Sequence, residues 1–549
     1  MGFYSTVGQA IICLACSICI SRLFAIAAVS ILSAKETRRC NLSQQLVLAI
    51  DVGTSSAKVG LVASDGTILR VASSTYPIFS PYPGWAEQSA EQWWEAVVTA
   101  GREVMNGMDP ASVAAIGIST AGGSMTLLDQ EGKEVRPAIS WMDARAGRQA
   151  EQLLAQQGHD FWIRHTGSPF LQFWPVSKLV WLRENEPQSF AQASSILQPS
   201  DYIILRLTGR KVTDRCTACA TGFYDLQSGT WSEKIASLVG ISTNMLPELN
   251  SSGNIIGTLT EQAAAIIRLT PRTPVVLGAW DQACAVVGAG ALSGQDALLS
   301  TGTAWVLTSV VSELHMDPLA RGITVQHARP GQYLFMLAMS NGGSIVEWYR
   351  RVFVGASGGE EEADLAESDG LSGIPSDTEK VPPGSNGLLF LPHFIGAVGA
   401  HPDSDYSGCI LGLRHGTGQA QVFRSILEAI AYEVRWGLEV LAEFSSLAPR
   451  LRMIGGATRS PIWPQIVADA TGLEVVIPQQ TECAMLGAAK LALEAIGIHE
   501  AESSTPVARC YQPDAQAHSI YNEYYALYRQ IHPALKEPLR LLNRLCTTR

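Results

Sequence analysis

Four short stretches of this chain carry groups of the kind that do chemistry. The first is Asp51-Val52-Gly53-Thr54-Ser55, at the end of an apolar run. A glycine turn with two hydroxyls aims N–H and O–H donors at one point, which suits phosphate oxygens. Asp51, closing a buried strand, is of the type that holds Mg2+ directly or through water. The plainer alternative is a hairpin turn and nothing more. A second turn, Gly302-Thr303, lies between two apolar runs and repeats the pattern 249 positions after Gly53. Two such hairpins facing one another would clamp the β- and γ-phosphates of a nucleotide from opposite sides.

The second stretch is PVVLGAWDQACAVVGAG, residues 274–290. Its first half reads as a buried strand, and Asp281 stands where a helix begins. Such an aspartate is either a helix N-cap or a carboxylate at the carboxyl end of a strand, where substrates of α/β proteins bind. In the second case it can take the proton of a hydroxyl attacking phosphorus. The third stretch, RLRMIGGATRSPIW, places Gly455-Gly456-Ala457 after a strand, with Ser460 and Pro461 as cap and first residue of a helix. Glycines there admit a flat ring or ribose close to the backbone, or serve only a strand–helix turn. The fourth, SNGGSIVEWYR at 340–350, starts a helix at Gly342-Gly343 and offers N–H groups at a positive dipole end.

These residues need a scaffold, and the sequence describes one. The 549 residues are 47% hydrophobic and 16% charged, a balance that excludes a disordered chain and implies at least two large domains. A formal charge of −11 leaves no basic surface for a phosphate backbone, so nucleic acid is excluded as a main partner. Residues 46–51, 58–63 and 67–73 read as three strands, the last two joined at Asp65-Gly66. Ser89 and Gln92 form a capping box for a helix ending near Met105. The strand–Gly-Thr–strand pattern opening each half predicts a duplicated fold, with a boundary in 288–294 and a surface excursion over 355–387. The eleven cysteines, with one CxxC at Cys216 and Cys219, lack zinc-site spacing, and neither disulfides nor a structural metal are expected.

Residues 10–20 and 23–32 are apolar but are broken by Arg22, and each run is too short to span a bilayer. We read residues 1–45 as an extension outside the working protein and not as a membrane anchor, which makes the chain cytoplasmic. A homodimer is left open.

In this order the segments resemble the FGGY carbohydrate kinases, part of the actin, hexokinase and Hsp70 group of folds. The resemblance covers about residues 46–500. It rests on AIDVGTSSAKVGLV, PGWAEQSAEQWW, WMDARAG, LGAWDQACAVVGAGAL, LLSTGTAWV, LLFLPHFIGA, FRSILEAIAYEVRWGLE, MIGGATRSPIW and AMLGAAKLA, and is strongest to the xylulokinase-like branch. It implies an α/β protein with two ribonuclease-H-like domains, 46–290 and 291–535, around a central cleft. It implies transfer of the γ-phosphoryl group of ATP, with Mg2+, to a hydroxyl of a small sugar, ketose or polyol. Asp281 would be the base and Gln282 a substrate contact. Gly53, Thr54 and Ser55 would form the first phosphate loop with Asp51 at Mg2+, and Gly302 and Thr303 the second. Gly342, Gly455, Gly456 and Ala457 would meet the nucleotide. Where xylulokinases commonly carry Gln-Met-His-Gly, this chain has Ala121-Gly122-Gly123-Ser124. That departure predicts a roomier, less polar pocket and puts xylulose itself in question. Trp85, Trp141 and Asp143 are further pocket candidates. A catalytically silent regulator is the alternative, disfavoured because Asp281 is present.

Overall fold

Two mixed β-sheets of related strand order form the body of this computed structural model. It describes residues 45–292, 296–302, 304–339, 342–354, 375–394, 396–445, 450–499 and 505–547. The expectations for residues 1–44, for Thr303, Ser340 and Asn341, and for most of the 355–387 excursion therefore lie outside the described residues.

In the first sheet, β1 (Leu46–Val52), β2 (Ser56–Ala63) and β3 (Ile68–Thr75) are followed by helix α1 (Ala90–Val104). Strands β4 (Val113–Thr120), β5 (Ile255–Thr258) and β6 (Pro274–Trp280) complete it, in the order β3-β2-β1-β4-β6-β5. Strand β1 is central and almost wholly buried, as its unbroken apolar run requires. Strand β4 runs parallel to β6, and β5 pairs antiparallel at the edge. Helix α2 (Asp281–Ala289) leaves the end of β6 directly.

The second sheet contains β7 (Asp296–Thr301), β8 (Trp305–Val311), β9 (Ile323–Gln326) and β10 (Tyr333–Met339). Helix α3 (Gly342–Tyr349), the small pair β11 (Leu389–Leu391) and β12 (Cys409–Leu411), and the long helix α4 (Gln419–Leu441) come next. Strand β13 (Arg450–Gly455), α5 (Trp463–Thr471), β14 (Glu474–Pro478), α6 (Cys483–Ala495), β15 (Val507–Tyr511) and α7 (Ala515–Thr547) close the chain. The order β10-β8-β7-β13-β14-β15 follows that of the first sheet through β3-β2-β1-β4, but its last two strands come in chain order whereas β6 and β5 come in reverse, and β9 is added at one edge. The expected duplication is thus present in the topology and not only in the two Gly-Thr turns.

Helix α6 lies in sequence between two strands of the second sheet, β14 and β15, but packs on the first. Met485, Leu486 and Ala489 share a core with Val47, Ala49, Ala115 and Val276. The approach is close: a Cβ on Gly117 would stand 2.2 Å from the Ala488 carbonyl oxygen. Helices α2 and α6 touch backbone to backbone, since a Cβ on Gly288 would meet the Cys483 carbonyl at 1.9 Å and one on Gly487 the Cys284 carbonyl at 1.8 Å. The glycines read as a boundary therefore include one that clamps α2 to α6. No helix among the described residues is long and apolar enough to cross a membrane.

Three local expectations are corrected. The Ser89 side chain makes no cap bond in α1. The Glu134 carboxylate, 45 residues away, instead accepts from the Ser89 hydroxyl at 3.3 Å and the Ala90 N–H at 3.0 Å. Helix α5 begins at Trp463, two residues later than expected, because residues 456–459 form a 3-10 turn first. Ser460 still accepts the Trp463 N–H at 3.2 Å. Asp281 is not an N-cap: Trp280 holds that place and Asp281 is the first helical residue.

Candidate active site

The carboxyl ends of β1, β4 and β6 bring five unpaired oxygens together. Ser119 and Thr120 lie opposite Ala279 and Trp280 in the β4–β6 register, and the Ala121 N–H bonds the Val52 carbonyl at 2.8 Å, joining the end of β4 to β1. Asp51 Oδ1, Ser119 Oγ, Thr120 Oγ1, Asp281 Oδ1 and Gln282 Oε1 are all sealed from solvent without a hydrogen-bond partner among the described residues. Burying one such group costs about 1–3 kcal/mol, so five at one strand edge mark a place built for something polar.

The electrostatics agree. Burial pushes the Asp281 carboxyl up to about 7, with the nearby charge of Asp51 adding to the effect and the Gln282 backbone N–H opposing it. Asp51 is pushed up to about 6, again chiefly by burial, against the pull of the Ser119 hydroxyl and Lys58. Lys58 is itself engaged, its Nζ 2.8 Å and 3.0 Å from the Glu482 carboxylate oxygens. Two carboxylates thus feel one another's charge, and the cation near Asp51 is already paired with Glu482, which suits a bound divalent ion.

The turn after Asp51 is held from three sides. The Gly53 N–H bonds the Ser56 carbonyl at 2.9 Å, the Tyr76 hydroxyl donates to the Gly53 carbonyl at 2.6 Å, and Gln88 Nε2 donates to the Thr54 carbonyl at 2.8 Å. The Trp141 indole N–H donates to Thr54 Oγ1 at 3.2 Å. Accepting from Trp141 leaves the Thr54 hydroxyl proton free for a phosphate oxygen, the donor expected of this turn. Ser55 is exposed beside it. Tyr76 and Gln88 escaped the sequence reading, although Gln88 closes the PGWAEQ motif.

The glycine turns of the second half also converge. Thr301, the last residue of β7, donates to the Ile454 carbonyl at 2.6 Å and accepts the Ala457 N–H at 3.2 Å. Gly455 has φ +92, and a Cβ there would stand 2.6 Å from the Thr301 carbonyl. The Gly343 N–H reaches the Gly302 carbonyl at 3.1 Å, and Gly342 lies so close to Trp305 that a Cβ would be 1.8 Å from the ring. Gly302, Gly342 and the Gly455-Gly456-Ala457 turn therefore form one neighbourhood, pinned by Thr301.

The pocket candidates divide. Trp85 stacks under the Arg145 guanidinium at 3.6 Å. Both Asp143 oxygens are engaged by the Arg145 side chain at 2.9 Å and 2.7 Å and by backbone N–H groups of Ala86 and Arg145. These bonds tie the PGWAEQ segment to the WMDARAG segment. At Gly122 the extra room is absent: a Cβ would stand 2.7 Å from the Ala220 methyl and 3.1 Å from Trp280 Nε1. The wall is the Trp280 indole, while Gly123, at φ +85, is fixed by a bond from its N–H to Gln198 Oε1 at 2.9 Å. A cavity of about 860 Å³ opens elsewhere, beside Asn254, Arg329, Lys490 and Glu494, and none of these site residues lines it.

With this geometry in view, the comparisons give the class. Residues 46–288 match the N-terminal domain, and residues 297–496 the C-terminal domain, of the FGGY family of carbohydrate kinases. The chain belongs to that family and is a carbohydrate kinase. The xylulose kinase of Bacillus subtilis is 28% identical over 498 residues, 89% of this chain and 97% of that protein. The gluconokinase of the same organism is 28% identical over 457 residues, 82% and 88% of the two chains. The crystal structure of the xylulose kinase from Rhodospirillum rubrum aligns with a TM-score of 0.81 at 28% identity, covering 90% of this chain and 99% of that one. These likenesses support the xylulokinase-like branch.

Proposed function

We propose that this kinase transfers the γ-phosphoryl group of ATP to a hydroxyl of a small sugar, ketose or polyol, with Asp281 as general base. The reading rests above all on the unpartnered, buried Asp281 Oδ1 at the end of β6, beside a second unpartnered carboxylate at Asp51. A carboxylate held up to about 7 is well matched to accept a hydroxyl proton near neutral pH. As the substrate oxygen bonds to phosphorus, its proton passes to Asp281 and the bridging P–O bond breaks toward ADP. Gln282, with its Oε1 unpaired, orients the attacking hydroxyl.

Asp51 fits Mg2+ on the evidence of its orphaned oxygen, and Ser119 and Thr120 supply hydroxyls for the ion's waters. Bound there, Mg2+ would neutralise phosphate charge during transfer. Thr54 and the N–H groups of the 53–55 turn hold phosphate oxygens from the first domain, and the Gly302-Thr303 turn does so from the second. Gly342 and the Gly455-Gly456-Ala457 turn leave room for the nucleoside. The domains are taken as 46–290 and 291–535, and closure between them would exclude water as a competing acceptor.

The acceptor is read from the Gly122 side. An indole wall there, in place of long polar side chains, favours a substrate that presents a carbon face toward Trp280. Xylulose and gluconate name the substrates of relatives; here we expect xylulose to be a poor acceptor. Turnover of ATP against about twenty sugars, sugar acids and polyols tests this. Xylulose emerging as the best substrate would overturn the specificity reading, and no acceptor stimulating ATP turnover would overturn the proposed function.

A further inference from the structure

Far from the β1–β6 edge, three histidines and a glutamate from three separate parts of the chain meet in the second domain. His393 and His401 lie on the segment between β11 and β12, Glu433 is on α4, and His532 is on α7. One ring nitrogen from each histidine comes within 4.8 Å of those of the other two. His393 Nε2 and His532 Nε2 are 3.2 Å apart, His401 Nε2 is 3.0 Å from Glu433 Oε1, and His393 Nε2 is 3.9 Å from the same oxygen. His393, His532 and Glu433 are only 3%, 4% and 5% exposed.

The spacing is that of a coordination shell. Zinc bonds of about 2.0–2.1 Å set tetrahedral ligand–ligand edges near 3.3–3.4 Å, and the three separations bracket that value. Two neutral imidazoles at this distance share one N–H···N bond, and a cation in place of that proton would take a lone pair from each. The Nδ1 of His401 is also buried and has no hydrogen-bond partner among the described residues. Around the cluster the packing orients the ligands: the Tyr528 hydroxyl donates to Glu433 Oε1, the Tyr406 ring stacks on His532 at 4.1 Å, and Trp436 lies against His401 at 3.8 Å. A donor to the ligating carboxylate is the usual outer support of a metal site.

We propose that His393, His401, His532 and Glu433 bind one divalent transition-metal ion of the zinc type, tying α7 to α4 and to the segment after β11. The donor chemistry suits it. Three imidazole nitrogens and a carboxylate are the donor set that a zinc-type ion takes. All four protein positions are filled, which makes the role structural.

These ligands are invisible to motif reading, because they span 139 positions between His393 and His532 and share no short motif. The site also runs against the expectation of no structural metal, which considered cysteine spacing alone.

The test uses the untagged full chain, stripped with a chelator and then titrated with Zn2+ against a chromophoric competitor, and separately with Co2+. We expect one equivalent of either ion per chain. The Co2+ form should show the strong visible bands of four-coordinate nitrogen and oxygen ligation, without a thiolate charge-transfer band. The His393→Gln/His532→Gln variant should lose that equivalent, and Tyr528→Phe should weaken it roughly tenfold. Zn2+ should raise the melting temperature of the parent and not of the double variant. No stoichiometric ion, a thiolate band, or unchanged affinity in the double variant would overturn the proposal. If the double variant fails to fold, the parent's Co2+ spectrum and the Glu433→Gln titration decide it in the same way.

Discussion

Asp281→Asn should stabilise the protein while disabling it. Asp281 lies in a site where burial and the Asp51 charge raise its carboxyl from 3.8 to about 7. In the unfolded chain it ionises near its ordinary value of about 3.9. The folded, nucleotide-free protein therefore binds this proton more tightly than the unfolded chain does. The resulting destabilisation is absent below about pH 4, grows between the two values, and is complete above about pH 7. A shift of roughly three units at 1.36 kcal/mol each gives about 4 kcal/mol. Loss of a favourable anion in the first turn of α2 offsets roughly 0.3–1 kcal/mol of that. An unfolding entropy of about 2.1 cal/mol/K per residue amounts to roughly 1 kcal/mol/K for a body of this size, so the variant should melt about 3 °C higher.

The assay is a melting curve of parent and variant, without Mg2+ or nucleotide, at about pH 4 and about pH 8. The difference should appear only at the higher pH, and Mg2+ should narrow it by supplying the missing positive charge. Turnover with the best acceptor should fall by about 10²–10⁴-fold, mainly in kcat, since the carboxylate acts as the proton moves. A variant that melts lower at both pH values would refute the electrostatic reading. One that retains turnover within about threefold would remove Asp281 from the chemistry.

Three other substitutions probe the scaffold around it. Thr54→Val should raise the KM for ATP and leave the Trp141 indole N–H unpaired, a loss of about 1.5–3 kcal/mol, whereas Thr54→Ser should stay near the parent; steady-state kinetics with varied ATP separates the two. Gly122→Ala would drive a methyl against Ala220 and the Trp280 ring, so we expect the acceptor's kcat/KM to fall with little change in the KM for ATP. Gly487→Ala would place a Cβ 1.8 Å from the Cys284 carbonyl, and chemical denaturation should register about 3 kcal/mol or more of destabilisation.

What the sequence could and could not reveal follows from how far each interaction reaches along the chain. The Asp51 and Gly302 turns were legible because strand, glycine and hydroxyl are neighbours in sequence, and each half repeats them. The duplication implied by that repeat appears in the sheets, which share their first four positions, apart from the added β9. Ser119 and Thr120 were not legible as site residues. They carry no motif, and become significant only when the β4–β6 register sets them beside the start of α2. Likewise, the start of α1 is capped not by Ser89 and Gln92 but by Glu134, 44 positions from Ala90, whose carboxylate accepts the Ala90 N–H. The Gly122 side misled for the opposite reason. Removing side chains from one segment suggests space, but close packing fills such space from elsewhere, here with Trp280 from the end of β6. On the proposed function, that substitution puts specificity one residue before the base. A single strand end would then supply both the wall that selects the acceptor and the carboxylate that activates it, and a change at Trp280 should move acceptor preference and kcat together.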